Sequence, residues 1–157
     1  MNTMKKQFKL IISWILLIVW MIVIFDFSSQ TGAASSDLSD SLVYRFVGLF
    51  FDDMSSISEI TIHYLIFFVR KAAHMVEYGI LGLLFYNALN NYQFFRLKLN
   101  YWAWGFSTIY ALSDELHQTF VIGRSGSLVD VLIDSAGVIF MLLIIRFIRK
   151  CIEKYYV

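Results

Sequence analysis

The sequence predicts an all-α membrane protein, a four-transmembrane-helix bundle with a long outer loop that contains an interfacial helix. Of its 157 residues, 59% are hydrophobic and 16% are charged, and the mean hydropathy is +0.65. A soluble domain has about 45–50% apolar and about 25% charged residues. The chain also has four mainly apolar segments close to the length of about 20 residues that a bilayer crossing needs.

The composition excludes other classes of protein. The abundance of apolar residues, including 18% aromatic residues, excludes an intrinsically disordered chain. A net charge of +1 argues against a partner made of nucleic acid, which would require a strongly basic surface. The single cysteine excludes an intramolecular disulfide framework.

The four spans are predicted at residues 10–27, 64–89, 99–121 and 128–148, within one transmembrane domain that covers residues 1–157. The first span has no charged residue from 10 to 25, and Ser13 is its only polar side chain there. A cleavable signal peptide is the alternative for this segment. Because the apolar stretch of a signal peptide has about 7–15 residues, the longer run here favours an uncleaved anchor.

Basic residues lie mainly on one side of these spans, which predicts the orientation of the chain. That side has Lys5, Lys6, Lys9, Arg96, Lys98, Arg146, Arg149, Lys150 and Lys154, whereas the other side has Arg45 and Arg124. The long first outer loop instead has Asp37, Asp40, Asp52, Asp53 and Glu59. We therefore expect both termini to be cytoplasmic.

The first outer loop, residues 28–63, contains apolar residues at helical spacing. These are Leu38, Leu42, Phe46, Leu49 and Phe50. This pattern is typical of a helix that lies in the outer membrane interface. A helix packed over the mouth of the bundle fits the same pattern.

Ionisable side chains interrupt the second, third and fourth spans, although each costs about 2.5–3.5 kcal/mol near the centre of a membrane helix. At a rise of about 1.5 Å per residue they are predicted to lie in the outer half of the membrane. Their helix faces must point inward, because lipid cannot satisfy them. We expect one polar cluster, open toward the extracytoplasmic side. Its predicted members are Lys71, His74, Glu77, Tyr78, Asp114, Glu115, His117, Gln118, Arg124, Asp130 and Asp134, with Arg70 beside them.

Two members of this cluster have alternative placements. Glu115 points about 100° away from Asp114 on an α-helix, so we expect it at the loop or the interface. Arg124 lies in the glycine-rich link before the fourth span and keeps its charge. It could pair with Asp114 or Asp130, or it could bind a phosphate or carboxylate from outside. In either case, one of these carboxylates is expected near Lys71, His74 or Arg124.

Four short motifs resemble those of the VanZ-like family. They are Ser28-Ser29-Gln30, Lys71-x-x-His74-x-x-Glu77-Tyr78, Ser113-Asp114-Glu115-x-His117-Gln118-x-Phe120 and Gly123-Arg124-x5-Asp130-Val131-x2-Asp134. They occur in the order of the family and extend over nearly the whole chain. The sequence departs from the family pattern at two positions. Ile122 stands where proline is frequent, and Met141 stands where a small residue is common. The first motif adds Ser29 and Gln30 as secondary site candidates.

The resemblance implies a small multispan protein of the bacterial cytoplasmic membrane. The founding member of the family is associated with low-level resistance to the glycopeptide teicoplanin. That association implies an effect on the cell envelope, and it brings no biochemical mechanism with it.

We interpret the polar cluster as a site that binds or modifies an anionic envelope ligand or a lipid-linked ligand. The lipid bilayer is expected to surround the protein. Lys71 and Arg124 would supply positive charge for a phosphate or carboxylate, and His74 and His117 titrate near neutrality.

Three alternatives remain open. One is a membrane-embedded enzyme that uses a metal or the acid–base pairs His74 with Glu77 and His117 with Asp114. Another is a structural or partner-binding bundle with a buried ion-pair network. The third is a proton- or ion-coupled transporter. The sequence identifies no cofactor, catalytic residue or oligomeric state.

Overall fold

A computed structural model describes residues 2–49 and 57–156, and its regular structure is entirely helical. The α-helices are α1 (Asn2–Ser29), α2 (Gly32–Val47), α3 (Glu59–Leu89), α4 (Leu99–Gln118) and α5 (Leu128–Tyr156), and a 3₁₀ helix (Gln93–Lys98) precedes α4. The predicted all-α class is confirmed. Phe50, Asp52 and Asp53, which contributed to the predictions for the outer loop, lie outside the described residues.

The helices α1, α3, α4 and α5 occupy the four predicted apolar segments, but several of their ends differ from the prediction. Helix α3 begins at Glu59, before the apolar segment, because Ser58 caps it by accepting a hydrogen bond from the backbone N–H of Thr61 (3.3 Å). Helix α5 continues past residue 148 to Tyr156. Hydropathy marks the apolar part of a helix, and polar turns at either end extend it further.

Two helices are long and apolar enough to cross a membrane, judged by length and composition. They are Thr3–Ser29 in α1 and Leu128–Lys154 in α5. Only 17% of the most apolar window of α1 and 33% of that of α5 is buried inside the protein. The core helix of a soluble protein would bury most of its apolar surface. These two helices therefore indicate association with a membrane.

Helix α3 is the centre of the bundle and contacts all four other α-helices, most extensively α5. Leu81 and Ala88 of α3, Ala111 of α4 and Val138 of α5 are completely buried. The backbones of α3 and α5 approach each other closely at Gly137, where an added Cβ would lie 2.3 Å from the carbonyl oxygen of Met75. Small residues allow this approach in membrane helices as well as in soluble ones.

Replacing Gly137 with alanine should separate α3 from α5, because the new methyl group would meet the backbone of Met75 rather than a movable side chain. We expect a loss of about 1–3 kcal/mol in the free energy of unfolding, measured as a lower thermal midpoint of the detergent-purified protein. Gly105→Ala in α4 is the matched control, since an added Cβ there meets nothing within 4 Å. Equal midpoints for the two variants would contradict the close packing.

Candidate functional site

Asp114 of α4 forms the most deeply buried side-chain hydrogen bonds of the predicted cluster. Its Oδ2 accepts hydrogen bonds from the hydroxyl of Tyr78 in α3 (2.9 Å) and from the side-chain amide of Gln118 (3.2 Å). All three residues are more than nine-tenths buried. The other carboxylate oxygen, Oδ1, has no hydrogen-bond partner in the described part of the chain. The carboxylate therefore connects α3 with α4 and keeps one acceptor atom free.

Lys71 of α3 and Asp130 of α5 form an ion pair in which the ammonium group donates to Oδ1 of the carboxylate. The ammonium nitrogen also lies 5.5 Å from the centre of the Phe67 ring, within the range of a cation–π interaction. Asp134, one turn further along α5, is 1% exposed. Neither of its carboxylate oxygens has a hydrogen-bond partner among residues 2–49 and 57–156.

The structural alternative for the cluster is a buried ion-pair network. The ionisable residues that could form it are Lys71, Glu77, Asp114, Arg124, Asp130 and Asp134. Within the described ranges, only Lys71 and Asp130 of this set form an ion pair with each other. Glu77, Asp114 and Arg124 line a cavity, whereas the buried carboxylate of Asp134 neither lines it nor has a hydrogen-bond partner in the described part of the chain.

His74 and Glu77, one of the two expected acid–base pairs, lie near each other on α3. Nδ1 of His74 is 3.9 Å from Oε2 of Glu77, a distance that makes an ion pair only when the imidazole is protonated. The backbone carbonyl of Glu77 accepts a hydrogen bond from the indole N–H of Trp20 in α1 (3.0 Å). This hydrogen bond fixes the position of α1 against this turn of α3.

His117 faces α1. Its Nε2 lies 3.2 Å from the hydroxyl oxygen of Ser29, and its ring packs on Phe25 with the ring centres 4.7 Å apart. No hydrogen bond or ion pair between His117 and Asp114 occurs in the described structure, so the second expected acid–base pair is not formed. The free oxygen of Asp114 is thus not occupied by this histidine.

Arg124 does not form the expected ion pair with Asp114 or Asp130 within the described residues. Its guanidinium donates instead to the backbone carbonyl of Phe27 at the end of α1 (3.0 Å). Burial and the neighbouring charge of Arg70 lower the pKa of Arg124. An arginine side chain nevertheless stays protonated in a protein, so this position keeps a positive charge without a bound carboxylate.

The link between α4 and α5 is fixed from two directions. Glu115 is 5% exposed, and its Oε2 accepts a hydrogen bond from the backbone N–H of Ser127 (2.8 Å). Glu115 was expected at the loop or the interface, and it holds the loop from a buried position. On the other side, the backbone N–H of Gly32 donates to the carbonyl of Ile122 (3.1 Å), and Gly123 adopts a φ of +76°, which favours glycine.

Arg70 of α3 reaches toward α2. Its Nη2 donates to the hydroxyl of Ser36 (2.8 Å), while its Nε is buried and has no hydrogen-bond partner in the described residues. Arg70 thus has one donor that is available to another group. Ser36 lies outside the four family motifs and is uncharged, so nothing in the sequence indicated that it contacts a residue of the site.

A cavity of about 530 Å³ lies between α1, α2 and α3. Its walls are mainly apolar and include Trp20, Ile24, Phe27, Leu38, Leu42, Val69, Ala72, Ala73, Val76 and Ile80. The polar candidates that line it are Gln30, Arg70, His74, Glu77, Asp114 and Arg124. A volume of this size lies within the range of about 300–1,000 Å³ that is usual for ligand pockets.

The cavity gathers only part of the predicted cluster. Eight of the candidates lie outside the cavity lining, namely Ser29, Lys71, Tyr78, Glu115, His117, Gln118, Asp130 and Asp134. The apolar walls from α1 and α2 could not be identified from the sequence. Trp20, for example, lies in the apolar part of α1, and hydropathy does not distinguish a side chain that faces lipid from one that faces a cavity.

The described residues contain no group of three or more His, Cys, Asp or Glu side chains placed to hold a metal ion.

Comparison with known families agrees with the motifs. The family model described as VanZ/LLP1 matches residues 13–149, a range that includes all four motifs and every candidate residue of the site. No curated protein and no solved structure matches the chain. Because the match covers most of its length, the chain belongs to the VanZ/LLP1 family.

Proposed function

We propose that this protein is a four-span membrane protein of the bacterial cell envelope that binds an anionic amphiphile, such as a lipid or lipid-linked envelope ligand, in the cavity between α1, α2 and α3. The positive-inside distribution of Lys and Arg supports cytoplasmic termini and a cavity on the extracytoplasmic side. The association of the family's founding member with teicoplanin resistance supports a role at the cell envelope.

The four spans in this proposal are α1, α3, α4 and α5. Helix α4 has 20 residues, about 30 Å at 1.5 Å per residue, which matches the hydrocarbon thickness of a bilayer. Helix α3 is longer, with 31 residues. Charged side chains of α3 and α4 contact other helices of the protein rather than lipid. Both helices are therefore compatible with a bilayer.

Helix α2 is proposed to lie in the outer interface. It buries Val43 and Val47 and exposes Tyr44 and Phe46 to 48% and 64%. A helix that packs on its neighbour through one side and exposes aromatic side chains elsewhere fits a boundary between protein, lipid and water.

The single observation that carries the ligand proposal is the cavity itself, which combines apolar walls with two guanidinium groups at one end. Arg124 forms no ion pair in the part of the chain that is described, and Arg70 keeps a buried Nε without a partner. Both arginines line the cavity. Guanidinium groups bind phosphate and carboxylate through several N–H donors, and the apolar walls suit a hydrocarbon chain.

Arg124→Gln should weaken binding of dodecyl phosphate by about tenfold or more, because hydrogen bonds to charged groups contribute about 1.5–3 kcal/mol. Glutamine is too short to repeat the hydrogen bond to the carbonyl of Phe27, so the unfolding midpoint of the variant is measured beside its affinity to detect a change in the loop. Binding to the purified protein in a maltoside detergent would be measured by native mass spectrometry.

Arg96→Gln, a change in the 3₁₀ helix outside the cavity, is the matched control. Equal affinity of the two variants for dodecyl phosphate would contradict the proposed site.

A further inference from the structure

A second cavity lies toward the opposite end of the bundle, between the end of α3, the start of α4 and the end of α5. Its volume is about 260 Å³, and it shares no lining residue with the cavity between α1, α2 and α3. Tyr86 of α3 lines it and lies about 14 Å beyond Glu77 along the helix at 1.5 Å per residue. The second cavity has no part in the proposed function.

The polar groups of the second cavity are mainly hydrogen-bond donors, and they come from three helices. Helix α3 supplies the hydroxyl of Tyr86, α4 the side-chain amide of Asn100, and α5 the cationic groups of Arg146, Arg149 and Lys150. Guanidinium and ammonium groups donate hydrogen bonds and cannot accept them. A phosphate group offers acceptor oxygens to such donors, so it is complementary to this lining.

Arg149 is held in place against the wall that α3 forms. Its Nη1 donates to the hydroxyl oxygen of Tyr86 (2.8 Å), and its guanidinium carbon lies 5.0 Å from the centre of the Tyr86 ring, within the range of a cation–π interaction. A guanidinium has five N–H donors, and this hydrogen bond uses one of them. A donor group that is already positioned loses little freedom when it binds an anion.

The protein does not neutralise the positive charges of the second cavity. Arg146 lies three residues before Arg149 and four before Lys150, so the three cations are neighbours on α5, where like charges repel. Glu153 is the single acidic residue of the lining. Within the described ranges it forms no ion pair with any of the three cations. A bound anion would offset this repulsion.

The depth of the second cavity along α5 matches the headgroup layer of a membrane. About 20 helical residues, or about 30 Å, cross the hydrocarbon core. Counted from Leu128, where α5 begins, such a span ends within the basic segment that lines the cavity. Leu142 and Ile145 line its other side and suit the first carbons of an acyl chain. Under the proposed orientation this end lies in the cytoplasmic leaflet, where basic pockets between membrane helices bind lipid headgroups.

We propose that the second cavity binds the phosphate group of a phospholipid in the cytoplasmic leaflet. The phosphate oxygens accept hydrogen bonds from Arg146, Arg149 and Lys150, and Tyr86 and Asn100 donate from the facing helices. A volume of about 260 Å³ is below the range of about 300–1,000 Å³ that is usual for a whole ligand, so the headgroup enters and the acyl chains stay in the bilayer. This site shares only the orientation of the chain with the proposed function.

The test compares dioleoyl phosphatidic acid with dioleoylglycerol, which lacks the phosphate, by native mass spectrometry of the full chain in maltoside detergent. We expect the unaltered protein to bind phosphatidic acid at least about tenfold more tightly. The double variant Arg146→Gln with Arg149→Gln removes two charged donors and should lower this ratio by about tenfold or more. Arg96→Gln with Lys98→Gln is the matched control and should keep the ratio, since it removes the same charge on the same proposed side but outside the cavity.

Two single variants test the lining more finely. Tyr86→Phe keeps the ring beside the guanidinium and removes only the hydroxyl, so the affinity for phosphatidic acid should fall about fivefold. Glu153→Gln removes the acidic group of the lining and should raise the affinity, a gain that a misfolded variant does not produce. A lower affinity in Glu153→Gln would overturn the proposed site.

Phosphatidic acid is also an anionic amphiphile, so the comparison is repeated in the Arg124→Gln protein. Binding that still depends on Arg146 and Arg149 there occurs in the second cavity and supports the inference. Binding that depends on Arg124 alone would overturn the inference and leave the proposed function intact.

Two further results would overturn the assignment of a lipid phosphate. One is an equal loss of affinity in the double variant and in its matched control, because diffuse positive charge would then explain the binding. Glycerol 3-phosphate is the soluble source of the same chemical group. Binding of it as tight as that of phosphatidic acid is the other contrary result, because the acyl chains would then contribute nothing.

Discussion

Replacing Lys71 with methionine is expected to lower the free energy of unfolding by about 3 kcal/mol. The change leaves the carboxylate of Asp130 without its ion-pair partner between α3 and α5. Removing one member of a buried ion pair costs about 3–5 kcal/mol, because the remaining charge is uncompensated. The side chains here are 19% and 29% exposed, so we expect the lower end of that range. The measurement is the yield of monodisperse protein and its unfolding midpoint in detergent.

The double variant Lys71→Met with Asp130→Leu should recover most of the lost stability. Replacing both members of a buried ion pair with apolar groups of similar size is often neutral. The positive coupling energy of this double-mutant cycle would isolate the pair from effects of either residue alone. A double variant less stable than Lys71→Met would show that Asp130 stabilises α5 independently of Lys71.

Under the proposed function, producing this protein changes the teicoplanin susceptibility of a strain, and Arg124→Gln is expected to abolish that change at an unchanged level of protein in the membrane. Under the proposed function, the guanidinium binds the anionic group of the ligand, and a neutral amide supplies no charge for it. His74→Gln changes a second residue that lines the cavity and should act in the same direction. Susceptibility and membrane protein level are measured together in a producing strain and compared with a strain that lacks the protein.

Arg96→Gln is again the control and should retain the full effect. His117→Gln provides a second comparison and should also retain the effect, since His117 contacts Ser29 and Phe25 and does not line the cavity. A full effect on susceptibility in both Arg124→Gln and His74→Gln, at normal protein level, would contradict the proposed site.

The helical class and the family could be predicted from local properties of the chain. Apolar segments of about 20 residues predict helices wherever they occur, and the predicted segments coincide with four of the observed α-helices. The motif around Lys71 and His74, like the one around Asp114, can be identified without any knowledge of packing. The expectation that inward polar faces meet placed Asp114 or Asp130 near Lys71, His74 or Arg124. Of these combinations, the structure forms the ion pair of Lys71 with Asp130.

Other contacts of the site could not be predicted in this way. The sequence left two roles open for Arg124, an ion pair with Asp114 or Asp130 and the binding of an external anion, and it did not indicate that the guanidinium donates to the carbonyl of Phe27. That contact depends on the junction between Gly32 and Gly123, where an added Cβ on Gly32 would meet the carbonyl oxygen of Gly123 at 1.9 Å. Two loops far apart in the chain meet there, and neither one predicts the other.

The sequence by itself determined the all-α class and the family. It also identified the ionisable residues that interrupt the apolar segments. All three depend on composition, periodicity and motif order, which are properties of the chain alone. Only the tertiary structure decided which of these residues share a cavity, that the cavity wall comes from α1 and α2, and that one oxygen of Asp114 stays free. These features depend on the rotation and separation of neighbouring helices. Contacts such as those of Trp20 with Glu77 and Tyr78 with Asp114 set that geometry jointly.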